Sequence, residues 1–181
     1  MFPEFIIFTG PMFGGKTTRL LSVLERARYQ KKKIILYKPK IDSRYSLDHV
    51  LTHSGLSWEC KTVVTGDDIL TNSKDYDIIA VDEAFLIQGL SQALLTLFKQ
   101  GKTIYVSSIQ LSAEGEPFDE IKEILPYATK IEICPAVCPI TNQDAYYTIA
   151  KEKTEHFQVG GSETYEPRSF YYSKLYFKNK L

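Results

Sequence analysis

The chain has 181 residues, of which 44% are apolar and 24% charged, so it can bury one sizeable core without disulfide or metal staples. Its 22 basic and 22 acidic residues balance. That balance lacks the basic face a duplex-DNA binder needs and favours a protein that acts on small molecules, with no nucleic-acid partner. No apolar run approaches the roughly 18 residues that span a bilayer, so no membrane segment is expected. Three cysteines, Cys60, Cys134 and Cys138, are too few for a disulfide scaffold, and a reducing, cytoplasmic location is the expectation.

The first predicted element is a strand over Glu4–Thr9, short, apolar and rich in β-branched residues. It runs straight into a loop, leaving nothing that reads as a cleavable leader. That loop, Gly10-Pro11-Met12-Phe13-Gly14-Gly15-Lys16-Thr17, fits G-x-x-x-x-G-K-S/T at every fixed position. Glycines let successive backbone N–H groups curl around phosphates, and the helix that follows turns its positive end toward them. Lys16 neutralises β/γ charge and the Thr17 hydroxyl ligates Mg²⁺ in such sites. A glycine-rich turn is the bland alternative. The strand before the motif and the helix after it (Lys16–Gln30, with Leu20, Leu24 and Ala27 on one face) supply the context that an ATP site requires.

A second strand is predicted over Lys33–Lys38 and a third over Asp77–Val81. The third ends in Asp82-Glu83. An Asp at such a strand end holds Mg²⁺ in P-loop enzymes. Side chains alternate along an extended chain, so Glu83 points elsewhere and is free to accept a proton. Two surface acids capping the next helix is the other reading of this pair, and the pair does not by itself separate a kinase from an ATPase. A helix over Leu90–Gln100, ended by Gly101, leads to a fourth strand over Lys102–Ile109 and a shorter helix over Phe118–Leu125, stopped by Pro126. Alternating strands and helices imply an α/β domain with a mainly parallel sheet, whose ligands bind at the carboxyl ends of the strands. Past Pro126, prolines 135 and 139 and a polar run over Thr141–Asp144 break the periodicity. Residues 1–128 are therefore read as the nucleotide-binding core and 129–181 as a small second lobe.

Taken together these residues resemble the cellular-type (class II) thymidine kinases. The resemblance rests on the Pro-Met-Phe form of the phosphate loop, on Lys38-Pro39-Lys40-Ile41-Asp42-Ser43-Arg44-Tyr45 after the second strand and on Thr52-His53-Ser54-Gly55. It rests further on Val81-Asp82-Glu83-Ala84, Gly115-Glu116-Pro117-Phe118 and Val159-Gly160-Gly161 with Tyr165. It implies a RecA-like P-loop core and a small C-terminal lobe whose lasso grips a nucleoside. It implies Glu83 as the base toward the 5′-hydroxyl of thymidine or deoxyuridine. Lys16, Thr17 and Asp82 would surround Mg·ATP, with Asp42 and Arg44 near the phosphates. Met12, Leu86, Ile109, Ala113, Gln158, Val159, Gly160, Gly161 and Tyr165 would face the base. A homotetramer and feedback inhibition by dTTP are inherited from the same resemblance.

Two departures from the family pattern stand out. Its small lobe holds zinc with two CxxC pairs. Here Cys138-Pro139-Ile140-Thr141 keeps only the first sulfur, and Arg168–Tyr171 keeps none. Structural zinc needs four ligands, so no zinc is expected. The lobe should then be filled by Tyr146, Tyr147, Phe157, Tyr165, Phe170 and Tyr171. In the base pocket Phe85, Leu86, Gln110 and Ala113 replace a Gln, an aromatic, an Asp and a second aromatic. The expected function is a deoxynucleoside kinase of DNA-precursor salvage. A nucleotide-binding protein that has lost efficient transfer, and a P-loop ATPase acting on a macromolecule, are the competing readings.

Overall fold

The computed structural model describes residues 2–42, 48–52, 55–152 and 159–173. In chain order the core elements are β1 (Phe5–Thr9), α1 (Lys16–Arg28), β2 (Ile34–Pro39), β3 (His49–Leu51), β4 (Ser57–Glu59), β5 (Lys61–Val63) and α2 (Gly66–Asn72). There follow β6 (Ile78–Val81), α3 (Leu90–Lys99), β7 (Thr103–Ser108), α4 (Asp119–Ile124) and β8 (Lys130–Ile133). The remaining strands are β9 (Ala136–Val137), β10 (Asp144–Ala145), β11 (Tyr147–Ala150) and β12 (Tyr165–Arg168). Six strands make one parallel sheet in the order β5-β2-β6-β7-β1-β8. All four predicted strands and all three predicted helices are present, with ends shifted by one or two residues.

Alternation along each strand sorts the side chains onto two faces. Ile7, Ile35, Tyr37, Ile79, Val81, Ile104 and Val106 pack against Ile69 of α2, Leu90, Leu94 and Leu97 of α3, and Ile121 and Ile124 of α4. Phe8, Leu36, Ile78, Ala80 and Tyr105 face the other way, against Leu20, Leu21, Leu24 and Ala27 of α1. Helix α1 therefore covers one face while α2, α3 and α4 share the other. The register places Tyr37 opposite Val81 and Val81 opposite Val106, so these three strands reach their carboxyl ends together.

The boundary read at residue 128 falls one strand early. Lys130–Ile133 pairs with β1 as the edge of the central sheet, matching Ile7 to Ile131 and Thr9 to Ile133. Its pattern of alternating charge and exposed isoleucine disguises it, because an edge strand needs no continuous apolar run. The segment after β8 folds as two antiparallel hairpins, β9–β10 and β11–β12. Their interior is small, built from Ala136, Cys138 and Ala145. The aromatic filling expected there is corrected in part: Tyr165 is buried, but Tyr146, Phe170 and Tyr171 lie on the surface, and Phe157 falls outside the described residues. Cys138 sits where the first CxxC would begin. Burial alone would push its thiol up, but the Thr141 hydroxyl and the N–H groups of Ser169, Thr141 and Ile140 aim at the sulfur and bring it down to about 6. Thr141 stands in the position of the missing second cysteine and ties the turn by a hydrogen bond instead.

Helix α3 begins at Gly89 with no side-chain cap of its own. Glu120 of α4 supplies one from outside, accepting the N–H groups of Gly89 at 2.5 Å and Ser91 at 2.7 Å. Charged acceptors on orphan helix donors are worth about 1–2 kcal/mol. Glu120→Ala should destabilise the fold by about that much in urea titrations. An unchanged midpoint would show that the cap is ornamental.

Candidate functional site

The phosphate loop connects β1 to α1 at the carboxyl edge of the sheet. Phe13 and Gly15 both take left-handed conformations, with φ of 65° and 74°, which turns the intervening backbone back on itself. Gly14 and Gly10 lie against the carbonyl oxygen of Cys134; an added Cβ would sit 2.2 and 2.3 Å from it. Both positions are therefore glycine for steric reasons. Helix α1 carries no acidic residue in its first turn, so its N-terminal N–H groups remain a favourable place for an anion. Lys16 is buried and its Nζ donates to the Pro11 carbonyl at 2.5 Å, folded across the mouth of the loop.

Asp82 continues the α1-facing row of β6 two residues beyond Ala80, so it points at the start of that helix. Thr17 Oγ1 donates to Asp82 Oδ1 at 3.0 Å and lies 3.2 Å from Oδ2. The carboxylate is only 6% exposed. Burial, reinforced by the neighbouring Glu83 charge, pushes it up to about 7, against the pull of the Ser107 and Thr17 hydroxyls and of Lys16. It is thus a carboxylate short of positive charge, with a hydroxyl beside it. That donor set fits Mg²⁺, which takes one or two protein oxygens and completes its shell with phosphate oxygens and water.

Glu83 leaves the strand in a left-handed conformation, φ 48° and ψ 43°, and starts a short 3₁₀ turn over Ala84–Leu86. Its side chain lines the same cleft as Asp82 and also reaches the neighbouring slot. Two concavities meet there. The larger, about 400 Å³, is lined by Met12, Phe13, Gly15, Lys16, Thr17, Lys38, Asp42 and Asp82, together with His49–Thr52 and Gly161–Glu163. The smaller is a narrow apolar slot of Met12, Phe85, Leu86, Ile109, Ala113, Thr148, Val159, Gly160 and Tyr165. Met12, Ile109 and Glu83 belong to both, and Glu83 is the one charged side chain of the three.

A family model for thymidine kinase matches residues 4–170. The chain belongs to the thymidine kinase family. It is 35% identical over 176 residues to a thymidine kinase of Thermococcus kodakarensis, a match covering 90% of this chain and 89% of the other. A thymidine kinase of Coprothermobacter proteolyticus is 34% identical over 170 residues, covering 90% and 86%. One from Pyrobaculum aerophilum is 30% identical over 175 residues, covering 90% and 94%.

Within this thymidine kinase fold, those of the residues expected to face the base that are described gather in one slot, apart from Gly161, which lines the phosphate cleft. Asp42 lines the phosphate cleft and is buried. Arg44 and Gln158 fall outside the described residues, as do His53 and Ser54. Two contributors, Thr148 and Lys38, were not assigned to the site from the sequence, whereas Phe85 was already placed in the base pocket. Thr148 lines the slot and its Oγ1 accepts the Met12 N–H at 3.0 Å, tying the β11 hairpin to the phosphate loop. No motif marks it. Phe85 forms a slot wall backed by Phe118, ring centroids 4.6 Å apart. Lys38 reaches the phosphate cleft from β2. If the loop must press on Cys134 to hold its shape, Gly14→Ala should weaken nucleotide binding at least roughly tenfold, with secondary structure by circular dichroism unchanged. Equal affinity in that variant would mean that the loop has slack.

Proposed function

We propose that this chain transfers the γ-phosphoryl group of Mg·ATP to the 5′-hydroxyl of thymidine or deoxyuridine, as a kinase of DNA-precursor salvage. One observation carries the reading: Glu83 is the charged side chain common to an apolar slot of nucleobase character and a phosphate-loop cleft. A base placed there reaches a hydroxyl presented from the slot while the phosphoryl group waits on the other side. The names of the relatives, all thymidine kinases, support the same substrate.

In this reading the nucleoside base enters between Met12, Phe85, Leu86 and Tyr165. The lasso residues Val159, Gly160 and Gly161 close over it through backbone groups. Glu83 takes the proton of the 5′-hydroxyl as that oxygen attacks the γ-phosphorus in line. The new O–P bond forms as the bond to the β-phosphate oxygen breaks, and ADP leaves with that electron pair. The loop N–H groups and Lys16 hold the β- and γ-phosphates, for which Lys16 must exchange its Pro11 partner. Thr17 and Asp82 would hold Mg²⁺, which when bound neutralises charge on the phosphate oxygens. Asp42 and Arg44 complete the phosphate surroundings, with Arg44 stabilising charge on the transferring group.

The family resemblance extends the proposal to a cytoplasmic homotetramer inhibited by dTTP. An exposed apolar edge at Ile131 and Ile133 gives such an assembly a surface to use. No helix among the described residues is long and apolar enough to cross a membrane.

Glu83→Gln should leave ATP binding near normal and lower kcat by ~10²–10⁴-fold, the usual share of general-base help. The assay is γ-phosphate transfer from Mg·ATP to the four common deoxynucleosides and deoxyuridine. Transfer to thymidine that the variant loses supports the assignment; full turnover by the variant would remove Glu83 from the mechanism. ATP binding without transfer to any of the five would favour a nucleotide-binding protein that has lost its chemistry.

A further inference from the structure

Among the described residues Lys38 is, with Lys16, one of two buried lysines; it is only 3% exposed, and the mechanism above gives it no task. Its position follows from strand alternation. Tyr37 faces the α2–α4 core, where its hydroxyl meets Ser73 Oγ at 3.1 Å, and Leu36 faces α1. Lys38 therefore continues the α1-facing row. The register carries the same row across the sheet, because Tyr37, Val81 and Val106 are partners on successive strands. One residue further on, Lys38, Asp82 and Ser107 stand side by side at the carboxyl ends of β2, β6 and β7. The Asp82 N–H donates to the Tyr37 carbonyl at 2.9 Å and locks that alignment.

The surroundings identify what the ammonium is for. It lines the phosphate cleft with Lys16 and Thr17. Beneath it lies the buried thiol of Cys60, pushed up to about 11 by burial; the Lys38 charge pulls the other way, while Asp82, Asp48 and Asp42 add to the rise. Lys38 thus shares one neighbourhood with Asp42 and Asp82. Carboxylates outnumber lysines around this cleft, with Asp42, Asp82, Glu83 and Glu163 facing Lys16 and Lys38. A polyanion entering such a site needs every cation present.

We propose that Lys38 is a second phosphate-binding lysine, one that engages the terminal phosphoryl group of the bound nucleoside triphosphate from the β2 side of the Mg²⁺ site. Lys16 rises from the loop and serves the β- and γ-phosphates together. Lys38, on β2, lies across Asp82 from the strand that carries the phosphate loop, and in this proposal it meets the terminal phosphate from that side and so senses whether a γ-phosphate is present. This inference rests on the nucleotide-site reading above and adds a discrimination to it: the residue distinguishes triphosphate from diphosphate.

The test is calorimetric titration of the full chain with Mg·ADP and with a non-hydrolysable Mg·ATP analogue. The proteins are wild type, Lys38→Met, Lys38→Gln and Lys38→Arg, with Lys16→Ala as control. Both neutral variants should lose at least roughly tenfold in affinity for the triphosphate analogue and less than about threefold for ADP, while Lys38→Arg recovers part of the difference. Lys16→Ala should lose both ligands. Retained ADP binding certifies that a variant is folded, and Lys38→Gln keeps a polar head group if Lys38→Met fails to fold. Equal losses for the two nucleotides, or none, would overturn the inference. A wild-type chain that binds neither nucleotide would instead overturn the nucleotide-site reading.

Discussion

The phosphate loop rests on a single carbonyl oxygen. Cys134, one residue past the edge strand β8, donates its N–H to Thr9 at 2.7 Å and presents its carbonyl to the undersides of Gly10 and Gly14. No side chain fits into that contact, so two glycines of the loop motif answer to packing as well as to phosphate approach. Because β8 pairs with β1 along its whole length, the brace is set by the sheet and not by the loop itself. Arg19 reinforces it from α1 through an ion pair with Glu132 at 2.5 Å, fastening the helix that carries Lys16 and Thr17 to the strand that supports them. The hairpins beyond β8 are tied in by Thr148, whose hydroxyl accepts the Met12 N–H from the opposite side of the loop. The loop is thus gripped from below by the core and from the side by the small hairpins, and the slot forms where those two grips meet.

Electrostatics at the strand ends follow from the same register. Three adjacent strands finish level, so the residues just beyond their apolar runs (Lys38, Asp82 and Ser107) form one polar row above a dry face. Charges in that row are poorly solvated and interact strongly. Burial, and after it the Glu83 charge, holds Asp82 above the usual carboxylate range, an effect that a bound cation would oppose.

What the sequence disclosed was governed by burial. Strands enclosed on both faces, such as Phe5–Thr9 and Ile78–Val81, are continuous apolar runs and were legible. The edge strands Lys61–Val63 and Lys130–Ile133 carry lysine and glutamate toward water, which hides them from the same criterion. Helix α2 was overlooked although its start is encoded: Thr65 and Asp68 form a reciprocal capping box. Its seven residues are too few for the helical period to stand out. At the site, residues fixed by chemistry were legible in the loop motif and the Asp-Glu pair. Thr148 acts through position alone, and position depends on how distant segments fold together. The aromatic crowding after Tyr146 misled for a related reason, since a surface stack such as Tyr147–Phe170–Tyr171 has the same composition as a core.

Glu83 holds a backbone conformation that a residue with a Cβ adopts at a disadvantage of order 1 kcal/mol. In the proposed mechanism the same residue is the base, so backbone strain and catalytic role would fall on one side chain. Glycine or asparagine would relax the turn and leave the rest of the sheet untouched. Selection for folding and selection for turnover therefore oppose each other at this one position. A lineage released from the need to phosphorylate would gain stability by discarding the carboxylate, and position 83 is where disuse would first leave its mark.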